Sequence, residues 1–378
     1  MEAKLKIVFI CGCLEPGRNG VGDYTRRLAG ELTRQGNTCV MISLNDKYIE
    51  SVLSETQWEG ETELITHRIP DLMSWAEKMP LMKFLMAELN PAWISLQFVP
   101  FSFNSRGLNF GLASKLAAIG KGRKWQIMFH ELNIGMEEGS SLKHTIWGIV
   151  QQYQIKELLN SLKPVVVHTH VAVYKKILER LGAKVKVLPL FSNIPVNNAK
   201  KAAESKYGIA GRKQIDLVIF GGIHHGAPVT EFAADAASFS KAEGIDINLV
   251  IMGKNGDAQV QWIEEWKAAG LRVEHLGEQS EEKISSVLGN ASFGLFTTPI
   301  ALVEKSGSVA AMREHRMHLL CVSRAWKPKR VTVENNPFKL EEYVSGGFNK
   351  FLNAAPDFSF MPSLNSVAKQ FSTNLFNT

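Results

Sequence analysis

The first 44 residues alternate between apolar runs, a glycine-rich turn and an amphipathic segment, and this order strongly constrains the fold. Lys6 to Cys11 is a short β-branched run typical of a strand buried on both faces. Asp23 to Gln35 carries apolar residues four apart and ends before Gly36, as an amphipathic helix does. Thr38 to Leu44 is the next apolar run. This strand–helix–strand order predicts a parallel sheet with right-handed crossovers.

The same alternation continues along the chain and breaks once. In the first half, we predict strands at Trp93 to Phe98, Trp125 to Phe129, Pro164 to His168 and Val185 to Leu188, and helices at Ser105 to Ala118, Lys143 to Leu162 and Ala172 to Leu181. In the second half, we predict strands at Asp216 to Phe220, Asn248 to Met252, Val273 to Leu276, Phe293 to Phe296 and, last, Leu319 to Ser323, and helices at Val229 to Glu243, Gln259 to Ala269, Glu281 to Leu288 and Ser308 to Met317.

A stretch rich in proline and asparagine separates the two halves. Residues 190–198 contain one proline and three asparagines and lack periodicity, so they suit a linker. We therefore expect two α/β domains of similar size, residues 1–193 and 194–350. Residues 351–378 form a third segment, in which Ser363 to Leu375 has its apolar residues at helical spacing.

Composition excludes several classes of protein. The chain has 378 residues, 45% apolar and 21% charged, which is ordinary for globular proteins and excludes collagen-like and disordered chains. Four cysteines cannot staple a small secreted scaffold, and no apolar run approaches the roughly 18–20 residues that cross a bilayer. We expect a soluble, cytoplasmic protein.

The net charge of +6 is mild. The basic clusters 121–124 and 327–330 suit either solvated loop ends or contact with an anionic membrane face or a phosphate-bearing substrate. Basic residues interleaved with aromatic ones are missing from the sequence, so we expect no nucleic-acid partner.

The turn after the first predicted strand is rich in glycine. Gly20 and Gly22 precede a helix, where close backbone approach and free N–H groups favour a phosphate or a sugar hydroxyl, although such a turn is equally often structural. Gly20 lies eight positions after Gly12, which is the wrong spacing for a dinucleotide fingerprint. The Lys-Ser/Thr pair of a P-loop is also missing.

An ordered series of motifs resembles the GT-B glycosyltransferases, in particular family 4. GRNGVGDYTRRLA at 17–29 resembles the family's N-terminal glycine-rich turn. The series continues with LQFVP at 96–100, FHEL at 129–132, LPLFSNIP at 188–195, FGGIH at 220–224, MGK at 252–254, LGE at 276–278 and EKSGS at 304–308. The similarity covers most of residues 5 to 325 in the family's order.

The resemblance implies two Rossmann-like domains with parallel sheets that face each other across a cleft, and a C-terminal helix that returns to the first domain. It implies a nucleotide-diphosphate sugar as the donor and a saccharide or lipid-linked glycan as the acceptor, with retention of anomeric configuration. No cofactor and no bound metal are expected, in keeping with the lack of an Asp-x-Asp motif. Enzymes of this type often work at the inner membrane face, and the mild basicity of the chain permits such peripheral association without requiring it.

The resemblance places the donor site in the second domain. Ser306, Gly307 and Ser308 would bind donor phosphates or hydroxyls from a helix start, and Glu304 would contact the sugar or the ribose. The family's second glutamate is replaced by Met312. The family's Arg/Lys clamp near the motif at 220–224 is also missing. This leaves Gly222, His224 and Lys254 as donor-binding candidates in the second domain, and Gly20 and Gly22 are donor-binding candidates in the first.

His130 would lie beside the donor sugar, to hydrogen-bond it or to orient the acceptor, or it would merely cap a strand end. Glu131 beside it is either a base or a loop contact. Asp23 and Tyr24 are acceptor-side candidates, and an acidic residue in a first helical turn is also stabilising without a function.

Two other functions remain open, a non-catalytic nucleotide-sugar-binding homologue and a nucleotide-sugar epimerase of the same fold. An NAD-dependent enzyme ranks last because the fingerprint spacing fails. We expect structural roles for the potential metal ligands at 11–13, 168–170 and 315–318, and a core or interface role for Trp262 and Trp266.

Overall fold

The computed structural model describes residues 4–196, 209, 211–291, 293–332, 338–359 and 361–377. The chain divides into two compact units, each with its own sheet. Unit 1 comprises Met1–Pro189, Lys327–Val333 and Ser363–Thr378, and unit 2 comprises Leu190–Trp326 and Glu334–Pro362. The division falls at the start of the predicted linker, of which residues 197 and 198 lie outside the described residues.

Unit 1 contains an eight-stranded sheet in the order β3-β4-β2-β1-β5-β6-β7-β8. Its strands are β1 (Lys6–Cys11), β2 (Thr38–Asp46), β3 (Leu53–Glu59), β4 (Thr62–Pro70), β5 (Trp93–Phe98), β6 (Lys124–Phe129), β7 (Val166–Thr169) and β8 (Val185–Val187). Its helices are α1 (Gly20–Arg34), α2 (Trp75–Leu89), α3 (Pro100–Phe103), α4 (Leu112–Ile119), α5 (Leu142–Leu162), α6 (Ala172–Arg180) and, from the C-terminal segment, α12 (Leu364–Phe376). All strand pairs are parallel except β3 with β4.

The opening unit folds as its sequence pattern predicts. The side chains of β1 are buried from Ile7 onward, because this central strand is covered on both faces. Asn19 caps α1 by accepting hydrogen bonds from the N–H groups of Val21 and Gly22. Just beyond α1, Gly36 has a φ of +90°, a conformation that favours glycine.

Two features of unit 1 differ from the sequence prediction. The hairpin β3–β4 and helix α2 were not predicted. β3 exposes most of its residues, and its polar sequence LSETQWE lacks an apolar run. The single helix predicted at Ser105 to Ala118 is wrong in its first half. Gly107 and Gly111 there have φ values of +66° and +72°, so regular helix begins only at Leu112.

Unit 2 contains a six-stranded sheet in the order β11-β10-β9-β12-β13-β14. Its strands are β9 (Gln214–Phe220), β10 (Asp246–Met252), β11 (Arg272–Gly277), β12 (Phe293–Phe296), β13 (His318–Cys321) and β14 (Glu341–Glu342), all paired in parallel. Its helices are α7 (Val229–Glu243), α8 (Gln259–Ala268), α9 (Glu281–Asn290), α10 (Gly307–Glu314) and α11 (Phe348–Asn353), with a 3₁₀ helix at Ile300–Lys305. The short strand β14 follows the strand that we predicted to be last.

The cores of both units are built from the predicted apolar faces. In unit 2, Trp262 and Trp266 of α8 are buried against Phe232 of α7, so the tryptophan pair belongs to the core. In unit 1, Phe371 of α12 stacks on Phe9 of β1 at a ring distance of 5.9 Å. Helix α12 thus completes the apolar layer of unit 1.

Candidate active site

The glycine-rich loop, defined here as residues 12–22, is hydrogen-bonded to buried polar side chains of unit 1. The N–H of Leu14 donates to Oδ2 of Asp46 at 3.1 Å. The carbonyl of Leu14 accepts from Nη2 of Arg26 at 2.8 Å and from Nε2 of Gln57 at 3.1 Å. These partners lie on β2, α1 and β3, so the unpredicted hairpin helps to fix the loop.

Arg68 of β4 is the cation beneath the loop. It is buried and pairs with Asp46 at 2.8 Å, with Glu15 of the loop and with Glu55 at 3.4 Å. Burial alone would raise the pKa of Asp46, but Arg68 and the Leu14 N–H hold the pKa of this carboxyl below its ordinary value. The loop is therefore rigidly supported on its inner side.

The two glycines at the end of the loop have different surroundings. A Cβ atom added to Gly22 would lie 2.5 Å from the carbonyl oxygen of Cys13, so glycine is required there by packing inside unit 1. A Cβ atom at Gly20 would meet no atom within 4 Å, and Gly20 is exposed. Only Gly20 is placed to let a ligand approach the start of α1.

The predicted acceptor-side residues of α1 are engaged within unit 1. Asp23 accepts a hydrogen bond from the Gly17 N–H at 3.0 Å and forms an ion pair with Arg26 at 2.7 Å. Tyr24 is fully buried and packs edge-on against the rings of His130 and His170, at centroid distances of 4.9 and 5.2 Å. Both residues thus stabilise the loop and the strand ends beneath it.

His130 follows β6, and both of its ring nitrogens lie within hydrogen-bond distance of side chains of unit 1. Nε2 is 2.9 Å from Oε1 of Gln97, and Nδ1 is 3.2 Å from Nε2 of His170. Nδ1 of His170 donates to the carbonyl of Leu188 at 2.7 Å. Glu131, next to His130, is half-buried.

These histidines are neutral at physiological pH. Burial, with the neighbouring His170 ring, lowers the pKa of His130 well below its ordinary value. Burial also lowers the pKa of His170 to about 4, against the opposing effect of the Leu188 carbonyl. His130 is therefore a fixed neutral ring.

In unit 2, the turn after β9 carries the motif GGIH and is held by Asn255. Nδ2 of Asn255 donates to the carbonyl of Gly221 at 2.8 Å, and the Ile223 N–H donates to the carbonyl of Asn255 at 3.0 Å. Gly222 is exposed, and a Cβ atom there would meet nothing within 4 Å. Lys254, just after β10, is exposed.

The start of α10 lies against the same turn. Ser306 caps the helix by accepting from the Val309 N–H at 3.3 Å, and its hydroxyl is 3.2 Å from that of Ser308. A Cβ atom at Gly221 would lie 3.1 Å from Cβ of Ser308, so the two motifs are in contact. Glu304 ends the turn before them, in the 3₁₀ helix.

Two cationic side chains, Lys305 and Arg324, also belong to the region formed by the β9 turn and the start of α10. The sequence did not indicate that they act together. Lys305 directly precedes the residue that caps α10. Burial, together with the positive charges of Lys305 and Arg324, lowers the pKa of His224. Arg324 follows β13, and its Cδ would lie 3.1 Å from a Cβ at Gly226. His224 is anchored by its N–H, which donates to Oγ1 of Thr297 at 2.8 Å. We call Gly222, His224, Lys305, Ser306, Gly307, Ser308 and Arg324 the cationic turn cluster.

Met312 lies where the resemblance to family 4 would place a second glutamate. It is buried in unit 2, and its sulfur would lie 2.8 Å from a Cβ at Gly294 of β12. This position faces the core, so the methionine is explained by packing of α10 on the sheet.

The other potential metal ligands bond to protein groups. His168 bonds to Gln126, and His170 bonds to the carbonyl of Leu188. His315 bonds to the hydroxyl of Ser285 and the carbonyl of Ala311. Within the described parts of the chain, no three His, Cys, Asp or Glu side chains come together as a metal site. No helix among the described residues has the length and apolar character needed to cross a bilayer.

Solved structures resemble the whole chain. No family model and no curated protein matches the sequence. HepE of Anabaena, solved with UDP and glucose, covers 99% of this chain and 100% of its own at 12% identity and a TM-score of 0.62. The fold is that of the GT-B glycosyltransferases.

Two further solved structures share this fold. The lipopolysaccharide outer core galactosyltransferase WaaB matches 99% of both chains at 15% identity, with a TM-score of 0.54. A candidate UDP-N-acetylglucosamine 2-epimerase from Listeria monocytogenes matches 99% of this chain and 89% of its own at 11% identity, with a TM-score of 0.52. The predicted α/β fold class, two Rossmann-like domains with parallel sheets, is confirmed.

Proposed function

We propose that the protein is a glycosyltransferase that binds a nucleotide-diphosphate sugar in unit 2 and transfers the sugar to a saccharide or lipid-linked glycan. The observation that carries this proposal is the cationic turn cluster. Lys305 directly precedes the cap of α10, and Ser308 of that helix lies against Gly221. Arg324 lies against Gly226 of the same exposed glycine turn, at the carboxyl edge of a parallel sheet. That is where α/β sheets bind phosphates.

The cluster suits the chemistry of the leaving group. As the bond to the sugar breaks, negative charge grows on the diphosphate, and fixed N–H groups and cations stabilise that charge. Lys305 and Arg324 take the role of the family's missing Arg/Lys clamp. We propose that this makes a bound metal unnecessary, that transfer retains the anomeric configuration, and that Glu304 contacts the donor. Ser306, Gly307 and Ser308 would bind it from the start of α10, with Gly222, His224 and Lys254 nearby.

The acceptor is proposed to meet unit 1. Gly20 leaves the start of α1 open, and His130 ends a strand at the same carboxyl edge of the first sheet. HepE was solved with UDP and glucose, and WaaB is a lipopolysaccharide galactosyltransferase, which supports a nucleotide-sugar donor and a glycan acceptor in polysaccharide biosynthesis.

Helix α5 supports a location at the inner membrane face. Leu142, Ile146, Ile149 and Tyr153 form an exposed apolar stripe on it. Lys329, of the basic cluster at 327–330, reaches the start of the helix and donates to Oγ1 of Thr145 at 2.9 Å. We propose that this stripe touches an anionic bilayer from the cytoplasm. Replacing Ile146 and Ile149 by serine should abolish sedimentation with anionic vesicles, whereas Phe84→Ser on α2 should not. Equal sedimentation of both variants would contradict the contact.

The proposed reaction is tested by incubating the protein with nucleotide sugars and a panel of glycan and lipid-linked acceptors in EDTA. We expect release of one nucleotide diphosphate together with a glycosylated product, and proton NMR of that product gives its anomeric configuration. Arg324→Ala should lower kcat/KM about a hundredfold, in the range seen when one stabilising donor is removed. Lys241→Ala, in the last turn of α7 at the opposite edge of the sheet, should not.

Two outcomes would replace this proposal. Conversion of a nucleotide sugar without any acceptor would favour the epimerase, which the Listeria structure supports. Binding of a nucleotide sugar with no turnover under any condition would favour a non-catalytic homologue.

A further inference from the structure

A chain of hydrogen bonds, which we call the polar chain, crosses unit 1 through mostly buried side chains. It begins at Lys186 of β8 and Asn374 of α12 and ends at the carbonyl of Leu188. Its consecutive contacts are Lys186 Nζ to Asn374 Oδ1 (3.1 Å), Asn374 Nδ2 to His168 Nε2 (2.9 Å), His168 Nδ1 to Gln126 Nε2 (3.1 Å), Gln126 Oε1 to Ser95 Oγ (2.5 Å), Ser95 Oγ to Gln97 Nε2 (2.7 Å), Gln97 Oε1 to His130 Nε2 (2.9 Å), His130 Nδ1 to His170 Nε2 (3.2 Å) and His170 Nδ1 to Leu188 O (2.7 Å).

The two ends of the polar chain can bond in only one way. The carbonyl of Leu188 only accepts, so Nδ1 of His170 must carry a hydrogen. The ammonium group of Lys186 only donates, so Asn374 turns its oxygen to Lys186 and its NH₂ group to His168. Nε2 of His168 must therefore accept.

The three rings are neutral, so each carries one hydrogen. Burial, with Lys186 and His170, lowers the pKa of His168 to about 3, and the pKa values of His130 and His170 are lowered as described above. Because His170 donates from Nδ1, its Nε2 accepts from Nδ1–H of His130. Nε2 of His130 must then accept, and the group facing it must be a donor.

The amides of Gln97 and Gln126 complete this assignment after a half-turn, which exchanges nitrogen and oxygen within nearly the same volume. Gln97 then donates to Nε2 of His130 and accepts from the Ser95 hydroxyl, and Gln126 donates to that hydroxyl and accepts from His168. Every contact then joins one donor and one acceptor, and the Gln126–Ser95 contact of 2.5 Å must lengthen to about 2.9 Å, the usual N–H···O distance. Without the half-turns, His168 would face two N–H groups and accept from only one of them. The pair His130–His170 would also need an extra proton, and burial opposes the net positive charge that this proton brings.

We propose that the polar chain holds His130 as its neutral Nδ1–H tautomer, and that Ser95, Gln97 and His170 are positioning residues for sugar transfer. This inference rests on the proposed function, which gives His130 a place in the site. His130 acts by its fixed position and exchanges no proton during transfer, because both nitrogens are already committed. The polar chain also connects α12, through Asn374, to this histidine.

The hydrogen assignment is tested by nitrogen NMR on protein labelled with ¹⁵N-histidine, without any substrate. His130, His168 and His170 should each show a protonated Nδ1 and an unprotonated Nε2, assigned with His130→Gln, His168→Gln and His170→Gln variants. A hydrogen on Nε2 of His130, or rapid exchange between its two tautomers, would overturn the assignment.

The positioning role is tested by kinetics at Ser95, a buried residue of β5 that faces the middle of the polar chain. Ser95→Ala should lower kcat about five- to tenfold, the worth of one hydrogen bond, with an unchanged KM for the nucleotide sugar. Ser95→Thr, which keeps the hydroxyl, should restore it. Thr66→Val removes a buried hydroxyl outside the polar chain and should leave kcat unchanged.

Equal kcat in Ser95→Ala, Ser95→Thr and the wild type would overturn the positioning role. Failure of the wild type to transfer any sugar would overturn the proposed function and the positioning role together. The NMR measurement needs no substrate and decides the tautomer in either case.

Discussion

Gly20 and Gly22 stand two positions apart in one motif, yet the structure separates their roles. Gly22 is required because the Cys13 carbonyl occupies the space of a side chain, whereas Gly20 opens onto free space. The sequence alone cannot make this distinction, because the atom that excludes a Cβ comes from the other end of the loop. Glycine in a motif is thus a weak guide to a ligand.

Gly22→Ala should lower the free energy of unfolding by about 1–3 kcal/mol, as overpacking does. Gly20→Ala, the matched variant, should change stability by less than about 1 kcal/mol and raise the KM for the acceptor instead. Urea unfolding and acceptor titrations measure the two effects. Equal stability of the two variants would contradict the packing role of Gly22.

The buried histidines of unit 1 make stability depend on pH. Unfolded histidine has a pKa of about 6.5, whereas burial lowers that of folded His168 to about 3. Between these values the unfolded chain binds a proton that the folded chain does not, so the histidine's contribution is full above pH 6.5 and falls as pH drops. At pH 5 the loss is about 2 kcal/mol for one ring.

His168→Gln removes this titration while keeping one donor and one acceptor in place. We expect the loss of unfolding free energy between pH 7 and pH 5 to shrink by about 2 kcal/mol relative to wild type. His144→Gln, at an exposed position of α5, is the control and should leave the pH dependence unchanged. The same steep pH dependence in His168→Gln as in wild type would show that His168 titrates normally in the folded state.

At the scale of elements, apolar runs predicted the central strands well and peripheral ones poorly. β1, β5 and β12 have the predicted bounds because both faces of each are covered. β3 is the edge strand of the sheet and is largely exposed, so its sequence lacks the apolar run that would predict a strand. Because the β3–β4 hairpin was not predicted, the sequence did not indicate that Arg68 and Gln57 support the glycine-rich loop.

Arg68→Leu tests this support. Removing the guanidinium leaves Asp46 buried without its cation, which should lower the free energy of unfolding by about 3–5 kcal/mol. Arg272→Leu is the matched control, because its ion pair with Asp246 is 3.9 Å long and both side chains are more than 60% exposed. That control should change stability by less than about 1 kcal/mol. A loss below 1 kcal/mol in Arg68→Leu would show that the loop is held by other contacts.

The cationic turn cluster contains residues that are distant in sequence and that the sequence alone could not bring together. The motif at 220–224 was found because glycines follow a predicted strand, and the motif at 304–308 because it resembles the family's donor-binding turn. Arg324 was missed because it reaches the β9 turn only through the strand order β9-β12-β13, which brings a distant segment to the same edge. In the proposed function, Arg324 from a distant segment and Lys305 from the motif at 304–308 take the place of the clamp.

At the scale of the whole molecule, the chain leaves unit 1 and returns to it. Residues 327–333 and 363–378 belong to unit 1 although unit 2 lies between them in sequence. The apolar spacing of residues 363–375 indicated a helix, and the structure places Phe371 and Leu375 of that helix in the core of unit 1. Asn374 on the same helix enters the polar chain.

Phe371→Ala should therefore destabilise unit 1 by about 3–5 kcal/mol, the usual cost of emptying a buried phenylalanine site. Phe376→Ala, on the same helix but 36% exposed, should have a much smaller effect. Hydrogen exchange of the β1 and β2 amides reports on unit 1 directly. Unchanged protection of β1 in Phe371→Ala would contradict the role of α12 in this core.

The central claim is that unit 2 binds a nucleotide diphosphate through the cationic turn cluster. The most direct measurement is calorimetric titration of the full chain, in EDTA, with UDP, GDP, ADP, dTDP and CMP. We predict that one nucleoside diphosphate binds, that Arg324→Ala weakens this binding at least tenfold, and that Lys241→Ala leaves it unchanged. Binding of none of these nucleotides, or equal binding by Arg324→Ala and the wild type, would contradict the claim.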